Sequence, residues 1–570
     1  MFHLKDNFTF YDPSTKIWRG LPRKSIFNPD QSLGELILQV LERNGAKVVQ
    51  ISADSGVEVT GDEMRLKTIR IAQNLIKMGY GESKSESSDI FTMLVRNGEN
   101  AAPAAFACFA LGIPVSTLDP TFTEDDLSHM LRTVKPKVIF CDNDVLDNLI
   151  GACQVADITP KIILMSERVN EYDHLETLLE PTGTEEMFIP VHIADPSNHL
   201  AVLLCSSGTT GRSKAVCLSH SICIAHVANF FECHPSDRTL AFSTLYWLSG
   251  MFVLLTSTVW GATRVITREP FDADLTLDII ERFRISVPIL PSAQALAVVN
   301  NAKANSNVLR TVRLPMTGGS AIPITLKESF EKLVPGRFLE IVYGFSEIAL
   351  GVTFTRKQFY RDGSVGFPAA GTEFKIVDDD GQPLDVGQEG EILVRAEYAF
   401  KGYFGNDDAT REILDSDGWM HSGDVGRFDE EGYLYIVDRK KDILKCSGYQ
   451  VSPSEIVYRK KDILKCSGYQ VSPSEIESVI LTVPGVAACC VAGVPTETFD
   501  LATALVVRKD PAAHIPDATE IMQKVEESLA WFKHLKGGVY FADELPLTPS
   551  GKVVRRAVRD IVIQLKTNEL

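Results

Sequence analysis

The chain has 570 residues, 45% hydrophobic and 23% charged, with a formal charge of −18. That length accommodates about three or four folding units, and the composition is that of a globular protein rather than a disordered or fibrous one. The acidic balance argues against a general nucleic-acid binder, which grips phosphate backbones with net basic surface, yet leaves room for a small anion in a local basic pocket.

Apolar strand-like runs alternate with helical patterns through the first two-thirds. The expected elements are a strand at 90–95, a helix over 101–111, a strand at 115–118, a helix after Thr121 and a strand at 137–141. The rhythm resumes with a helix at 275–284 and strands at 287–290 and 338–342. Such alternation predicts βαβ units and parallel sheets, whose ligands bind beyond the carboxyl ends of the strands. Residues 239–263 carry no charge and lie between Arg238 and Arg264, but eight Ser/Thr and two glycines favour buried helix and strand over a membrane span.

After about Gly371 the texture changes to short strands and turns, at 374–378, 390–395 and 433–437, which predicts a β-rich subdomain. Beyond Asp438 a smaller α+β pattern follows, with a helix from Ser474, strands near 487–493 and 504–508, and a helix from Ala518. The expected fold is therefore α/β, with domains at 1–438 and 439–570. At the junction, residues 437–456 are repeated as 457–476 with Tyr458 in place of Asp438 as the one difference. Solenoid repeats diverge and need at least three units, so this is a recent duplication or a sequence-assembly artefact.

Eleven cysteines show neither metal-ligand spacing nor a secreted disulfide framework. The opening M-F-H-L-K-D-N-F lacks the apolar region of a signal peptide, and the ending N-E-L is neither K-D-E-L nor S-K-L. A cytoplasmic protein is expected.

The chemistry begins at 206–214, S-S-G-T-T-G-R-S-K, between the apolar run 200–205 and a helix-compatible segment opening near His220. Gly208 and Gly211 let the backbone approach a ligand; Ser206, Ser207, Thr209 and Thr210 present hydroxyls, and Lys214 a point charge. A polyphosphate fits this set. The Walker pattern does not, because Lys214 falls three residues after Gly211. Ser/Thr/Gly clusters also make plain turns, so other motifs must decide.

Four do. Thr317-Gly318-Gly319-Ser320-Ala321 offers a narrow backbone against which a flat base or acyl group can lie. Tyr343-Gly344-Phe345-Ser346-Glu347, expected just after a strand, supplies an aromatic to stack on a base and a hard oxygen for Mg²⁺. Asp424 closes D-G-W-M-H-S-G-D and can accept from ribose hydroxyls; its simpler reading is a turn aspartate. Lys552 sits in the loop Pro549-Ser550-Gly551-Lys552.

These motifs, in this order and with G-E-I-L-V-R at 390–395, resemble the adenylate-forming superfamily of acyl-CoA synthetases, coumarate-CoA ligases and beetle luciferases. The resemblance runs from about Leu33 onwards. It implies a large N-terminal adenylation domain hinged to a small, mobile C-terminal domain, and a two-step reaction of a small-molecule carboxylic acid with ATP, Mg²⁺ and coenzyme A. It also implies roles: Thr209, Thr210 and the loop glycines on the β- and γ-phosphates, Gly319, Ser320 and Ala321 beside adenine, and Tyr343 stacked on it. Ser346 and Glu347 match the phosphate and Mg²⁺ positions, Asp424 and Arg439 the ribose pair, and Lys552 the catalytic lysine that reaches the α-phosphate.

Departures from the family pattern also count. Trp247, in Leu245-Tyr246-Trp247-Leu248, replaces a histidine that in many relatives gates the acyl pocket. Ser447 and Ser467 stand where relatives have a lysine, while Lys445 and Lys465 keep the other one. The duplication falls on the hinge. The leading expectation is an AMP-forming acyl-CoA ligase for a medium- or long-chain fatty acid; a luciferase-like oxygenase and a catalytically weak nucleotide- or acyl-binding homologue are the alternatives.

Overall fold

The structure is a computed structural model. It describes all residues except 1, 4–8, 23–25, 29, 82–88, 207–212, 228–232, 320–321, 323, 356–359, 397, 399, 440–443, 447–448, 452–463, 467–468, 472, 496–499, 510–514, 530–532, 548–552, 554 and 569–570. The chain forms two compact units. The first comprises 1–388, 392–422 and 428–435; the second comprises 389–391, 423–427 and 436–570.

Local signals start the helices of the first unit. Ser32 and Glu35 form a reciprocal capping box at Leu33–Asn44, as do Thr60 and Glu63 at Gly61–Lys77, and Thr123 and Asp126 at Glu124–Val134. Each helix presents an apolar stripe to a sheet or to another helix. Ala101–Ala110 is instead buried all round, which its run of alanine, phenylalanine and cysteine permits.

A seven-stranded sheet has the order Asp173–His174, Lys161–Leu164, Val138–Cys141, Phe91–Leu94, Val115–Thr117, Leu200–Ser206, Lys214–Ser219. All its pairings are parallel except the last, which is antiparallel. Phe91–Leu94 and Val138–Cys141 are buried at every position, as strands covered on both faces must be. A five-stranded sheet runs Val287–Pro288, Arg238–Leu240, Thr263–Ile266, Val48–Ser52, Glu58–Thr60.

The uncharged stretch 239–263 resolves into strand, helix and strand, with Leu248–Trp260 buried along most of its length. Among the described residues no helix is long and apolar enough to cross a membrane.

The third sheet has eleven strands, in the order Phe2–His3, Thr9–Asp12, Ile17–Gly20, Thr372–Val377, Gly390–Ala396, Met420–Phe428, Leu434–Arg439, Ser364–Pro368, Leu350–Phe354, Glu340–Phe345, Met316–Gly318. The β-rich region is thus wider than the change of texture at Gly371 suggests. An N-terminal hairpin joins it because Trp18 stacks on Phe428, with ring centroids 4.7 Å apart, while Phe374 meets Phe428 edge-on.

In the second unit, Val486–Pro495 pairs antiparallel with Asp500–Arg508, which pairs parallel with Val539–Ala542. The two-residue period of the sheet sorts its faces. Val491, Ala504 and Val506 join Ile476, Ile480, Ile521 and Val525 from helices Pro473–Ile480 and Ala518–Ser528. Cys490, Ala492 and Leu505 meet Val558 and Val562 of Arg555–Asn568.

Both duplicated segments adopt the same hairpin in the same register: Leu444–Cys446 with Tyr449–Val451, and Leu464–Cys466 with Tyr469–Val471. The second copy's Leu464–Cys466 lies against Asp500–Arg508 and Val486–Pro495.

Candidate nucleotide-binding site

Ser206 and Lys214 face each other at the open end of an antiparallel pair. The segment expected to hold a polyphosphate therefore joins two antiparallel neighbours. A strand, Lys214–Ser219, follows the loop, and the helix His220–Val227 opens at His220, where the sequence pattern places it. Ser207, Gly208, Thr209, Thr210 and Gly211 lie outside the described residues. Two groups hold the end of the loop: a His129 ring nitrogen lies 3.1 Å from the Ser213 carbonyl, and the Tyr246 hydroxyl bonds the Ser213 side chain.

Met316–Gly318 and Glu340–Phe345 run parallel, with Gly318 opposite Val342. A side chain at position 318 would bring its Cβ within 2.3 Å of the Val342 carbonyl oxygen, so the strands can close only on glycine. Gly319 follows at φ +82, with open space where a Cβ would stand; Ser320 and Ala321 lie outside the described residues.

Tyr343 and Gly344 lie within the strand, not after it, because the aromatic and β-branched run from Ile341 to Phe345 is itself strand-compatible. Tyr343 is half-buried, its ring 6.1 Å from that of Phe345. Ser346–Ile348 then makes a single tight turn that lies against both Leu200–Ser206 and Lys214–Ser219. That turn brings Glu347 and Ser346 to the strands on either side of 207–212.

Glu347 accepts a 2.7 Å hydrogen bond on Oε1 from the Tyr403 hydroxyl. Sequence reasoning missed Tyr403. Its clue is modest, an aromatic following a glycine just beyond the G-E-I-L-V-R strand. The Lys214 ammonium lies 4.9 Å from the centre of the Tyr403 ring. Glu347 has no other hydrogen-bond partner among the described residues, which leaves Oε2 for a hard cation. One carboxylate completed by substrate phosphate oxygens is how Mg²⁺ is commonly held.

Trp247 immediately precedes the helix Leu248–Trp260, its ring 4.8 Å from Tyr246 and edge-on to it; Tyr246 in turn meets Phe122 edge-on. A Cβ at Gly250 would fall 2.0 Å from the Thr244 carbonyl oxygen, so only glycine lets the loop carrying Trp247 fold back on the helix. Burial pushes the Tyr246 phenol up, helped by Cys205 and Asp119, and keeps it protonated.

In the second unit, Asp424 is buried within the strand Met420–Phe428 rather than on a turn. Arg439 ends Leu434–Arg439, and Lys552 lies outside the described residues.

Layered α/β sheets, a hydroxyl- and glycine-rich sequence joining two antiparallel strands, and a carboxylate on a turn packed against those strands are features that nucleotide-binding enzymes use. The family described as AMP-binding enzyme matches residues 38–404, and the AMP-binding enzyme C-terminal domain matches 475–552. The chain belongs to this adenylate-forming family.

Acyl-CoA synthetase 7 of Caenorhabditis elegans is 26% identical over 565 residues, covering 95% of this chain and 98% of the relative. 4-Coumarate--CoA ligase-like 2 of Arabidopsis thaliana is 28% identical over 564 residues, covering 95% and 93%. The solved structure of the anthranilate CoA ligase AuaEII with anthranoyl-AMP aligns with a TM-score of 0.78 at 21% identity, over 96% of this chain and 100% of that one. At that identity the likeness shows the fold.

Proposed function

We propose that this ATP-dependent acid–CoA ligase acts on a medium- or long-chain fatty acid. The observation that carries this substrate class is the wall around Trp247. The segment 239–263 holds no charged side chain, and the indole packs on Tyr246 and the apolar cluster behind it. Such a surface takes an aliphatic chain and offers no partner to an amino-acid ammonium.

A carboxylate is a poor electrophile because its leaving group would be oxide. In the first step a carboxylate oxygen bonds to the α-phosphorus of ATP, the bond to the β-phosphate oxygen breaks, and pyrophosphate leaves. In the second the sulfur of coenzyme A bonds to the acyl carbon, AMP departs with the C–O bond electrons, and the thiol proton goes to solvent. The chain's task is to stabilise charge on phosphate oxygens at fixed donors.

Ser206, Ser207, Gly208, Thr209, Thr210, Gly211 and Lys214 take the β- and γ-phosphates in this reading. Gly319, Ser320, Ala321, Tyr343 and Gly344 take adenine; Ser346 serves the phosphate, Asp424 and Arg439 the ribose, and Lys552 the α-phosphate and substrate carboxylate. Glu347 holds Mg²⁺, which when bound offsets negative charge on the phosphate oxygens. Residues 1–438 form the adenylation domain and 439–570 the mobile C-terminal domain.

A panel of fatty and aromatic acids, assayed for pyrophosphate with and without coenzyme A, tests the proposal. Fatty acids of medium or long chain should give both pyrophosphate and thioester. Preference for aromatic acids would overturn the substrate class, and absence of thioester with every acid would overturn the coenzyme A step.

A further inference from the structure

Ser206, Lys214 and Glu347 come from three separate segments, and one side chain touches all of them. Tyr403 is 7% exposed. Its hydroxyl donates to Glu347 Oε1 at 2.7 Å, is hydrogen-bonded to the Ser206 side chain, and its ring faces the Lys214 ammonium. A phenol has a single proton. With that proton committed to Glu347, the bond to Ser206 must be one in which serine donates.

The backbone fixes the ring. The Cys217 amide donates to Gly402 O at 3.0 Å, the Phe404 amide donates to Ala215 O at 2.8 Å, and the Tyr403 amide donates to Thr410 Oγ1 at 2.9 Å. Residues 402–404 thus add a short rung to the strand that begins at Lys214, and the side chain between them points where the phosphate loop ends.

We propose that Tyr403 is a positioning residue for cation-assisted ATP binding, fixing one oxygen of Glu347 so that the other is left for the cation, and seating the Lys214 ammonium beside it. This rests on the reading of Glu347 given above. Outer-shell partners of this kind typically change metal affinity by about 10- to 100-fold when removed.

The test is calorimetric titration of the full chain with ATP, in Mg²⁺ and in EDTA, for the parent, Tyr403→Phe and Glu347→Gln. Tyr403→Phe keeps the ring under Lys214 and removes only the hydroxyl. It should weaken binding at least tenfold in Mg²⁺, change binding in EDTA by less than about threefold, and leave the melting temperature near that of the parent. Tyr403→His, which retains a ring donor, should recover part of the Mg²⁺ effect.

Equal weakening in Mg²⁺ and EDTA would mean a merely structural role and overturn the proposal. So would unchanged Mg²⁺-dependent binding by Tyr403→Phe while Glu347→Gln loses it. If Mg²⁺ fails to tighten ATP binding by the parent, or Glu347→Gln keeps the tightening, the reading of Glu347 itself falls and the proposal falls with it.

Discussion

Acidification should weaken the fold through one buried imidazole that follows the strand Lys214–Ser219, at the end away from the 207–212 loop. His220 opens the helix His220–Val227 and is fully buried; its Nδ1 accepts the Leu33 amide at 3.1 Å, tying the helix Leu33–Asn44 to this segment. Burial first, and then the His199 ring 5.5 Å away, depress its pKa from 6.5 to about 3. The folded value lies below the unfolded one, so the stabilisation is complete above about pH 6.5 and is lost as the pH falls towards 3. The slope is about 1.4 kcal/mol per pH unit, which makes the loss about 2 kcal/mol at pH 5.

Other groups titrate in the same window, so the assay is a comparison. Urea denaturation of the parent and of His220→Asn would be followed between pH 7 and pH 5. Asparagine can accept the Leu33 amide but does not titrate. The variant should lose about 2 kcal/mol less than the parent over this range. Identical slopes would refute the assignment of a buried, neutral His220.

Two further outcomes follow from the site and the hinge. Trp247→Ala should shift the preferred acid to longer chains, each methylene accommodated gaining about 0.8 kcal/mol, or roughly fourfold in kcat/KM; an unchanged order across a chain-length series would remove Trp247 from the acyl pocket. Deleting 457–476 joins the first copy directly to Glu477 and shortens the chain there by 20 residues. Loop-closure scaling gives about 0.6 kcal/mol for one halving of length, so turnover should rise about threefold, and a variant no faster than its parent would show that the second copy does not hinder turnover.

Local chemistry explains what was legible in the sequence. The parallel sheets show as continuous apolar runs because strands covered on both faces need them, and the loop shows only through the motifs that accompany it, because glycine and hydroxyl residues also cluster in plain turns. Tyr403 was not legible: its partners Glu347 and Ser206 lie 56 and nearly 200 residues away, and its place depends on backbone pairing with Ala215 and Cys217. Tyr343 was set one step beyond its strand because the tyrosine–glycine pair reads equally well as a turn. The N-terminal hairpin escaped notice because Trp18 finds its partner Phe428 only in the assembled sheet.

The central claim is that a carboxylate oxygen is joined to the α-phosphorus of ATP. A fatty acid labelled with ¹⁸O in both carboxylate oxygens, incubated with the enzyme, ATP and coenzyme A, tests it directly by mass spectrometry of the nucleotide product. The account predicts AMP carrying one ¹⁸O atom together with unlabelled pyrophosphate. Unlabelled AMP, or ADP as the product, would contradict it.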